Sequence, residues 1–186
     1  MSVLTHDRYC DEIAHRIGQL RDVVTSGADL SATVPTCPDW SLEDLVRHVG
    51  GALRRVDALA RARARENIPA ERVPAAGGPA ERGDAAALDR WLAESGEPVV
   101  GALREAGPGT PVWAWAGVPT AGIRARRMTH EITVHRADTT LAAEPPYEVA
   151  ADALDEWLRI AEWVRRGAPV GQAGAGHVRL TRAGRA

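Results

Sequence analysis

The sequence contains no lysine: all 23 basic residues are arginines, and alanine and glycine are abundant. This bias is typical of a GC-rich genome, so the arginine clusters carry less functional weight than usual. Cysteine is also scarce, with only Cys10 and Cys37. Two cysteines without C-x-x-C spacing exclude a disulfide framework and argue against a zinc or redox pair of thiols. They are instead typical of reduced thiols in a cytosolic protein.

Long apolar runs and an excess of charge of one sign are absent as well. No segment approaches the ~20 apolar residues of a membrane span. The N-terminus, with His6, Asp7 and Arg8, has no apolar signal-peptide core. The net charge of -2 and the pI near 6.3 give no electrostatic surface for nucleic acid or an anionic membrane. We therefore expect a cytoplasmic protein whose partners are small molecules rather than nucleic acids or membranes.

The 186 residues, 45% apolar and 26% charged, are enough for one ordinary globular domain. Apolar residues recur at helical spacing in five segments, at about 4–26, 42–66, 84–107, 120–141 and 147–166. Ser41 and Asp44 form a capping-box pattern at the start of the second segment. Gly96 and Pro98 predict a break or a bend in the third. The pattern predicts an all-α fold.

The segments between these helices differ in character. Two prolines predict an extended connection over 28–40, and the Pro- and Gly-rich stretch 67–83 predicts a loop. Segment 110–120 fits either a short strand or an extended loop, and we favour the loop. Its tryptophans, Trp113 and Trp115, either form the wall of a pocket or pack over the edge of the core. Residues 177–182 alternate polar and apolar side chains, which predicts a strand-like tail.

A possible metal site comes from two of the predicted helices. Glu131 and His135 are four residues apart and so share one helix face, while His130 points about 100° away from Glu131. His48 lies on the second helix beside the Gly50–Gly51 pair, which predicts either a close approach to that helix or a kink. Two imidazoles and one carboxylate form a known catalytic zinc arrangement, which activates a bound water or thiol. By spacing alone, a structural role for each residue remains open.

Two stretches carry a family resemblance: residues 34–51 (VPTCPDWSLEDLVRHVGG) and residues 127–138 (RMTHEITVHRAD). They resemble the mycothiol-dependent maleylpyruvate isomerase N-terminal family of the DinB-like superfamily. The resemblance implies a DinB-like up-and-down four-helix bundle over residues 1–167, with an extra C-terminal helix. It also implies one divalent metal, usually zinc, with nickel or iron as alternatives. The implied ligands are His48, Glu131 and His135, and His130 is not a ligand in that pattern.

Other polar and aromatic residues lie near these ligands in the sequence. Asp138 follows His135 by three residues, so we expect it to share the metal-facing side and to orient a ligating imidazole. Arg127 and Arg124 are candidates for binding an anionic substrate or the thiol cofactor, with Trp115 at the mouth of the site. For Asp138 and the arginines, a solvated or structural ion pair remains the alternative.

The resemblance implies an enzyme in which a bound metal activates mycothiol, or another small thiol, for addition to an electrophilic small molecule. Both S-transferase and isomerase reactions fit this description. Family isomerases carry a second α/β domain, and residues 168–186 resemble the start of such a domain, truncated. Two alternatives stay open. One is a non-catalytic or partner-dependent metal-binding bundle whose tail pairs with another chain, for example in a homodimer. The other is a metal-dependent hydrolase.

Overall fold

The computed structural model describes residues 4–139 and 147–165. The described elements are α1 (His6–Thr25), β1 (Thr33–Val34), β2 (Cys37–Ser41), α2 (Leu42–Arg61), a 3-10 turn (Ala70–Arg72), α3 (Ala85–Ala106), α4 (Ala121–Thr139) and α5 (Tyr147–Arg165). The predicted all-α bundle with an additional helix is therefore confirmed. The strand-like tail lies outside the described residues, so the division at residue 167 stays a prediction. None of the described helices combines the length and apolar character needed to cross a membrane.

The predicted Ser41–Asp44 capping box begins α2. The Ser41 hydroxyl accepts the backbone N–H of Asp44, and the Asp44 carboxylate accepts the backbone N–H of Ser41. This reciprocal pair satisfies two N–H groups that no helical carbonyl reaches. At its other end α2 stops at Arg61, one turn earlier than predicted, because Arg63 adopts a left-handed conformation with φ of 45°. A non-glycine residue in that conformation cannot continue a right-handed helix.

Four helices form the bundle around one apolar core. α1 packs against α3 and α4, α2 packs against the same two helices, and α5 adds to α4. α1 and α3 are antiparallel, since His6 contacts Leu103 and Arg21 contacts Asp89. α2 and α3 run parallel, because residues 50 and 61 of α2 lie beside residues 91 and 98 of α3. Parallel neighbours need a long connection, which the segment 62–84 provides. The bundle therefore departs from the expected up-and-down order at this step, because the chain does not reverse direction between α2 and α3.

The glycine pair of α2 marks a close approach rather than a break. A Cβ atom at Gly50 would lie 2.2 Å from the Trp91 ring, and one at Gly51 would lie 2.5 Å from the Ala76 carbonyl oxygen. Both distances are far shorter than a van der Waals contact, so only glycine fits at either position. α2 continues through the pair without interruption. The glycines thus fix how α2 is seated, close to His48.

α3 passes through Gly96 and Pro98 as one continuous helix, so a break there is wrong, and the alternative of a bend stays a prediction. Gly96 instead makes room for α1, because a Cβ atom there would lie 2.8 Å from Cδ1 of Ile17. The Pro98 carbonyl accepts a hydrogen bond from Arg61 of α2. Tertiary contacts to α1 and α2 therefore support the segment that local propensity disfavours.

The predicted extended connection over 28–40 contains a small antiparallel hairpin. Thr33 pairs with Ser41 and Val34 with Cys37. The hairpin places Trp40 directly before the N-cap of α2. Both cysteines are free, as predicted, and burial raises the pKa of the Cys10 thiol to about 11. Segment 110–120 is an extended loop with one isolated bridge at its two ends, as favoured from the sequence.

Candidate metal centre

Three side chains from two helices converge at one end of the α2–α4 contact. Glu131 Oε1 lies 3.1 Å from His48 Nε2 and 3.4 Å from His135 Nε2. One donor atom from each residue lies within 4.8 Å of the other two. Within residues 4–139 and 147–165, no other group of histidine, cysteine and acidic side chains meets this geometry. The structure therefore brings together the three residues that the resemblance implies as ligands.

The two donor separations measured from Glu131 fit a single divalent ion. Zinc binds imidazole nitrogen and carboxylate oxygen at ~2.0–2.1 Å, so two donors on a tetrahedral ion are about 3.3–3.4 Å apart. The separations of 3.1 and 3.4 Å from Glu131 are close to that value. Three protein ligands are typical of a catalytic zinc site, which keeps its fourth position for water or substrate.

Hydrogen bonds with neighbouring residues orient two of the three candidate ligand side chains. His135 Nδ1 donates to Asp138 Oδ2 at 3.0 Å, and the Thr36 hydroxyl donates to Asp138 Oδ1 at 2.7 Å. Because Asp138 holds the proton on Nδ1, the Nε2 atom of His135 carries the lone pair that can bind a metal. Arg127 Nη2 donates to Glu131 Oε2 at 2.8 Å. That bond occupies one carboxylate oxygen and leaves Oε1 facing the imidazoles.

The electrostatics of the centre favour a positive charge. Burial by itself would raise the pKa of Glu131, but hydrogen bonds from His135 and His48 and the charge of Arg127 hold it well below its usual range. Burial opposes protonation of His135, yet the bonds to Glu131 and Asp138 raise its pKa above the ordinary value. A carboxylate that stays ionised and stabilises a neighbouring cation is well suited to hold a metal ion.

Trp40 covers the histidines and was not predicted as part of the site. Its ring centroid lies 4.9 Å from that of His48 and 6.3 Å from that of His135, and the two imidazoles are nearly perpendicular at 82°. The indole therefore restricts how either imidazole can turn. The His48 side chain remains 33% exposed, so the centre is open to a small molecule. Only its position in the sequence could have indicated this role. Trp40 comes one residue before the N-cap of α2, and His48 follows about two helical turns later.

The predicted anion-binding residues lie beside the centre in different settings. Arg127 is held on both sides, by Glu131 and by Glu156 Oε2 at 3.3 Å. Arg124 lies nearer the N-terminus of α4, and its Nε donates to the Trp113 carbonyl at 2.6 Å. The structure thus places an ion-paired arginine next to the candidate metal centre and a second arginine about one helical turn away from the first.

The two tryptophans of the 110–120 loop separate. The Arg127 guanidinium lies 5.8 Å from the Trp115 ring centroid, and both residues line one cavity. The Trp113 ring contacts two guanidinium groups, at 5.3 Å from Arg55 and 4.8 Å from Arg124, and packs on the core. Each of the two interpretations offered by the sequence thus describes one of the two tryptophans.

His130 faces away from the candidate metal centre. Its Nδ1 lies 2.6 Å from Glu156 Oε2, its Nε2 lies 2.9 Å from Asp152 Oδ2, and the residue is 2% exposed. Both ring nitrogens are engaged, so neither is available to a metal. Two further histidines lie on α1. His6 contacts the Leu103 carbonyl at 2.8 Å, and His15 is exposed.

Comparison with known proteins gives one family match. The family described as "Mycothiol maleylpyruvate isomerase N-terminal domain" matches residues 10–140. No curated protein and no solved structure matches the chain. The matched range includes the hairpin, α2 and α4, and with them His48, Glu131 and His135. This protein belongs to the mycothiol maleylpyruvate isomerase N-terminal domain family.

Proposed function

We propose that this protein is a thiol-using metalloenzyme of the S-transferase or isomerase type. His48, Glu131 and His135 hold a divalent metal, with zinc the first choice and nickel or iron the alternatives. Mycothiol, or another low-molecular-weight thiol, adds to an electrophilic small molecule. The observation that carries the proposal is the convergence of three donor atoms within 4.8 Å at a position that solvent reaches. The family description supports mycothiol as the thiol.

The chemistry of this site follows from its donor set. A bound divalent metal acidifies a thiol, so that the thiolate is present at neutral pH. Glu131 is the one anionic ligand beside two neutral imidazoles, so a divalent ion there keeps a net positive charge that favours an anionic fourth partner. Asp138 fixes the ring of His135, and Arg127 fixes the carboxylate of Glu131. Trp40 shields the imidazoles on one side.

Metal analysis and a conjugation assay test the proposal on the intact chain. The assay follows the reaction of a fluorogenic electrophile such as monochlorobimane with mycothiol. A control reaction omits the mycothiol. We expect wild type to bind about one metal ion per chain, as a three-ligand site predicts, and to accelerate conjugation. His48→Ala should lose both properties, and the exposed His15→Ala should keep both.

Two results would overturn the assignment. A wild type that binds no metal, with conjugation unchanged in His48→Ala, would remove the metal from the reaction. Turnover of an ester or amide substrate without any thiol, lost in His48→Ala, would assign hydrolysis to the same three residues.

A further inference from the structure

A second site lies beside the metal centre, between the 110–120 loop, α4 and α5. A cavity of about 90 Å³ is lined there by Trp115, Ile123, Arg124, Arg127, Ile160 and Trp163, among others. This volume is about three times the ~30 Å³ that one water molecule occupies in the liquid. The cavity therefore has room for a small organic group or for one end of a larger molecule. Arg127 lines it and also contacts Glu131, so the cavity and the metal centre share a wall.

Three of the four arginines that line the cavity are paired with acidic side chains. Arg126 contacts Asp152 and Asp155, Arg159 contacts Asp155, and Arg127 contacts Glu131 and Glu156. Arg124 is the exception, since no carboxylate of the described residues lies within ion-pair distance. These pairings leave Arg124 as the one arginine of the cavity wall without a carboxylate partner among the described residues; Glu156, which also lines the cavity, is held by Arg127.

Arg124 is also largely shielded from water. It is only 7% exposed, and its Nη2 atom has no hydrogen-bond partner among the residues that the structure describes. Its remaining contacts are the Trp113 carbonyl and the Trp113 ring. Burial, with the nearby charges of Arg55 and Arg127, lowers its pKa to about 10, so it remains charged at neutral pH. A buried guanidinium with two other guanidinium groups nearby and no carboxylate partner is stabilised by an anionic ligand.

The rest of the wall indicates what kind of anion fits. Trp115, Ile123, Ile160 and Trp163 provide apolar and flat surfaces, which suit a carbon skeleton. One guanidinium without a carboxylate partner matches the single charge and the two oxygens of a carboxylate. A phosphate carries about -1.5 to -2 charges at neutral pH and would leave much of that charge unmatched in this cavity.

We propose that this cavity binds a small apolar carboxylate, with Arg124 as the partner of its anionic group and the tryptophan rings against its carbon skeleton. Resting on the proposed function, this carboxylate is one end of the electrophile, and the reactive carbon lies toward the metal centre. Arg124 is then the residue that selects acidic electrophiles over neutral ones.

Benzoate and benzamide, which have the same shape and differ in charge, test the proposal. Binding to the intact chain is measured by calorimetry and by tryptophan fluorescence, with a chelator present and again after zinc is added. We expect benzoate to bind at least about tenfold more tightly than benzamide, the ratio of one charge-assisted hydrogen bond. Arg124→Met should remove this preference, and Arg124→Lys should retain part of it.

Arg55→Met is the matched control. Arg55 stacks on the same tryptophan as Arg124 and donates to the Ile68 carbonyl at 2.8 Å, but it does not line the cavity. Its replacement should preserve the preference for benzoate. Ile160→Trp, which fills the cavity from α5 and leaves Arg124 in place, should abolish benzoate binding and keeps the test valid if Arg124→Met does not fold.

Several outcomes would overturn the inference: equal affinity for benzoate and benzamide, benzoate binding that survives both Arg124→Met and Ile160→Trp, or tighter binding of inorganic phosphate. Because binding is measured with a chelator present, it does not depend on the metal. Arg124-dependent benzoate binding in a protein without thiol conjugation would support the cavity as a carboxylate site and refute the proposed enzyme. Conjugation without Arg124-dependent binding would refute this inference alone.

Discussion

Two faces of α4 carry the same kinds of side chain and use them differently. On the face toward α2, Glu131 and His135 direct their donor atoms to a point that they share with His48. On the face toward α5, His130 places one ring nitrogen against Asp152 and the other against Glu156. Both faces therefore contain histidine and carboxylate groups within hydrogen-bond distance.

The difference lies in what remains available to a ligand. On the α5 face, Asp152 also accepts from the Tyr9 hydroxyl and from Arg126, and His130 is 2% exposed. The polar groups there are buried and bonded to one another, which makes them structural. On the α2 face, one oxygen of Glu131 faces two imidazoles, one of them a third exposed. Convergence and exposure, rather than residue type, separate a candidate metal site from a buried ion-pair network.

The largest effect is expected on the α5 face. His130→Ala leaves the carboxylates of Asp152 and Glu156 without the imidazole that lies between them. Removing one partner of a buried pair costs about 3–5 kcal/mol, and urea unfolding should show a decrease of this size in the free energy of unfolding. The folded variant should bind zinc about as well as wild type. Weakened zinc binding with unchanged stability would reverse the roles of the two faces.

On the α2 face, the effect should appear in metal affinity. His48→Ala removes a ligand, and we expect zinc affinity to fall by more than about 100-fold, since loss of an outer partner alone costs about 10–100-fold. Competition with a chromophoric chelator measures it. The metal-free variant should unfold at nearly the wild-type urea concentration, because His48 is partly exposed. An unchanged zinc affinity would show that the three residues form only a hydrogen-bonded cluster.

A smaller loss of metal affinity is expected at Asp138. Asp138→Ala removes the acceptor of the His135 Nδ1 proton, and zinc affinity should fall by about 10–100-fold. Asp138→Asn keeps an oxygen acceptor and should lose less. The same competition assay compares the two variants. Equal losses in both, or no loss in either, would mean that Asp138 does not orient the imidazole.

The smallest effect concerns pH and the α5 face. Burial opposes the charge of Asp152, but hydrogen bonds from Tyr9 and Arg126 outweigh it and lower its pKa below the ordinary 3.8. Because the folded pKa is the lower one, the stabilisation is present above pH 3.8 and is lost as the pH falls through the folded value. The stability difference between wild type and Asp152→Asn should therefore shrink in acid. A difference that is constant down to the folded pKa and below would exclude the charge as its cause.

The sequence predicted the helices well because their signals are local. Apolar spacing and the Ser41–Asp44 cap lie within one or two turns of the residues they describe. The signals failed where distant contacts decide the outcome. α3 continues through Pro98 because α1 and α2 support it, and the hairpin at Thr33–Ser41 has a first strand of two residues, too short to show any alternation.

The candidate metal site followed the same division. The spacing of Glu131 and His135 is a property of one helix, and so is the position of Asp138 three residues later. His48 was a candidate from its place on the second helix, but family resemblance was needed to join it to Glu131 and His135, because nothing local connects residues 48 and 131. The contacts of Trp40 with the imidazoles and of Glu156 with Arg127 join separate elements, and no periodicity encodes them.

The glycine pair of α2 has a consequence for protein design. Transferring His48, Glu131 and His135 onto another helical bundle would reproduce the donor atoms without the features that seat the helix carrying His48. Here that seat is the space taken by the Trp91 ring and the Ala76 carbonyl where side chains at residues 50 and 51 would otherwise project. A designer would have to copy this pair of missing side chains, and what fills their space, together with the three ligands.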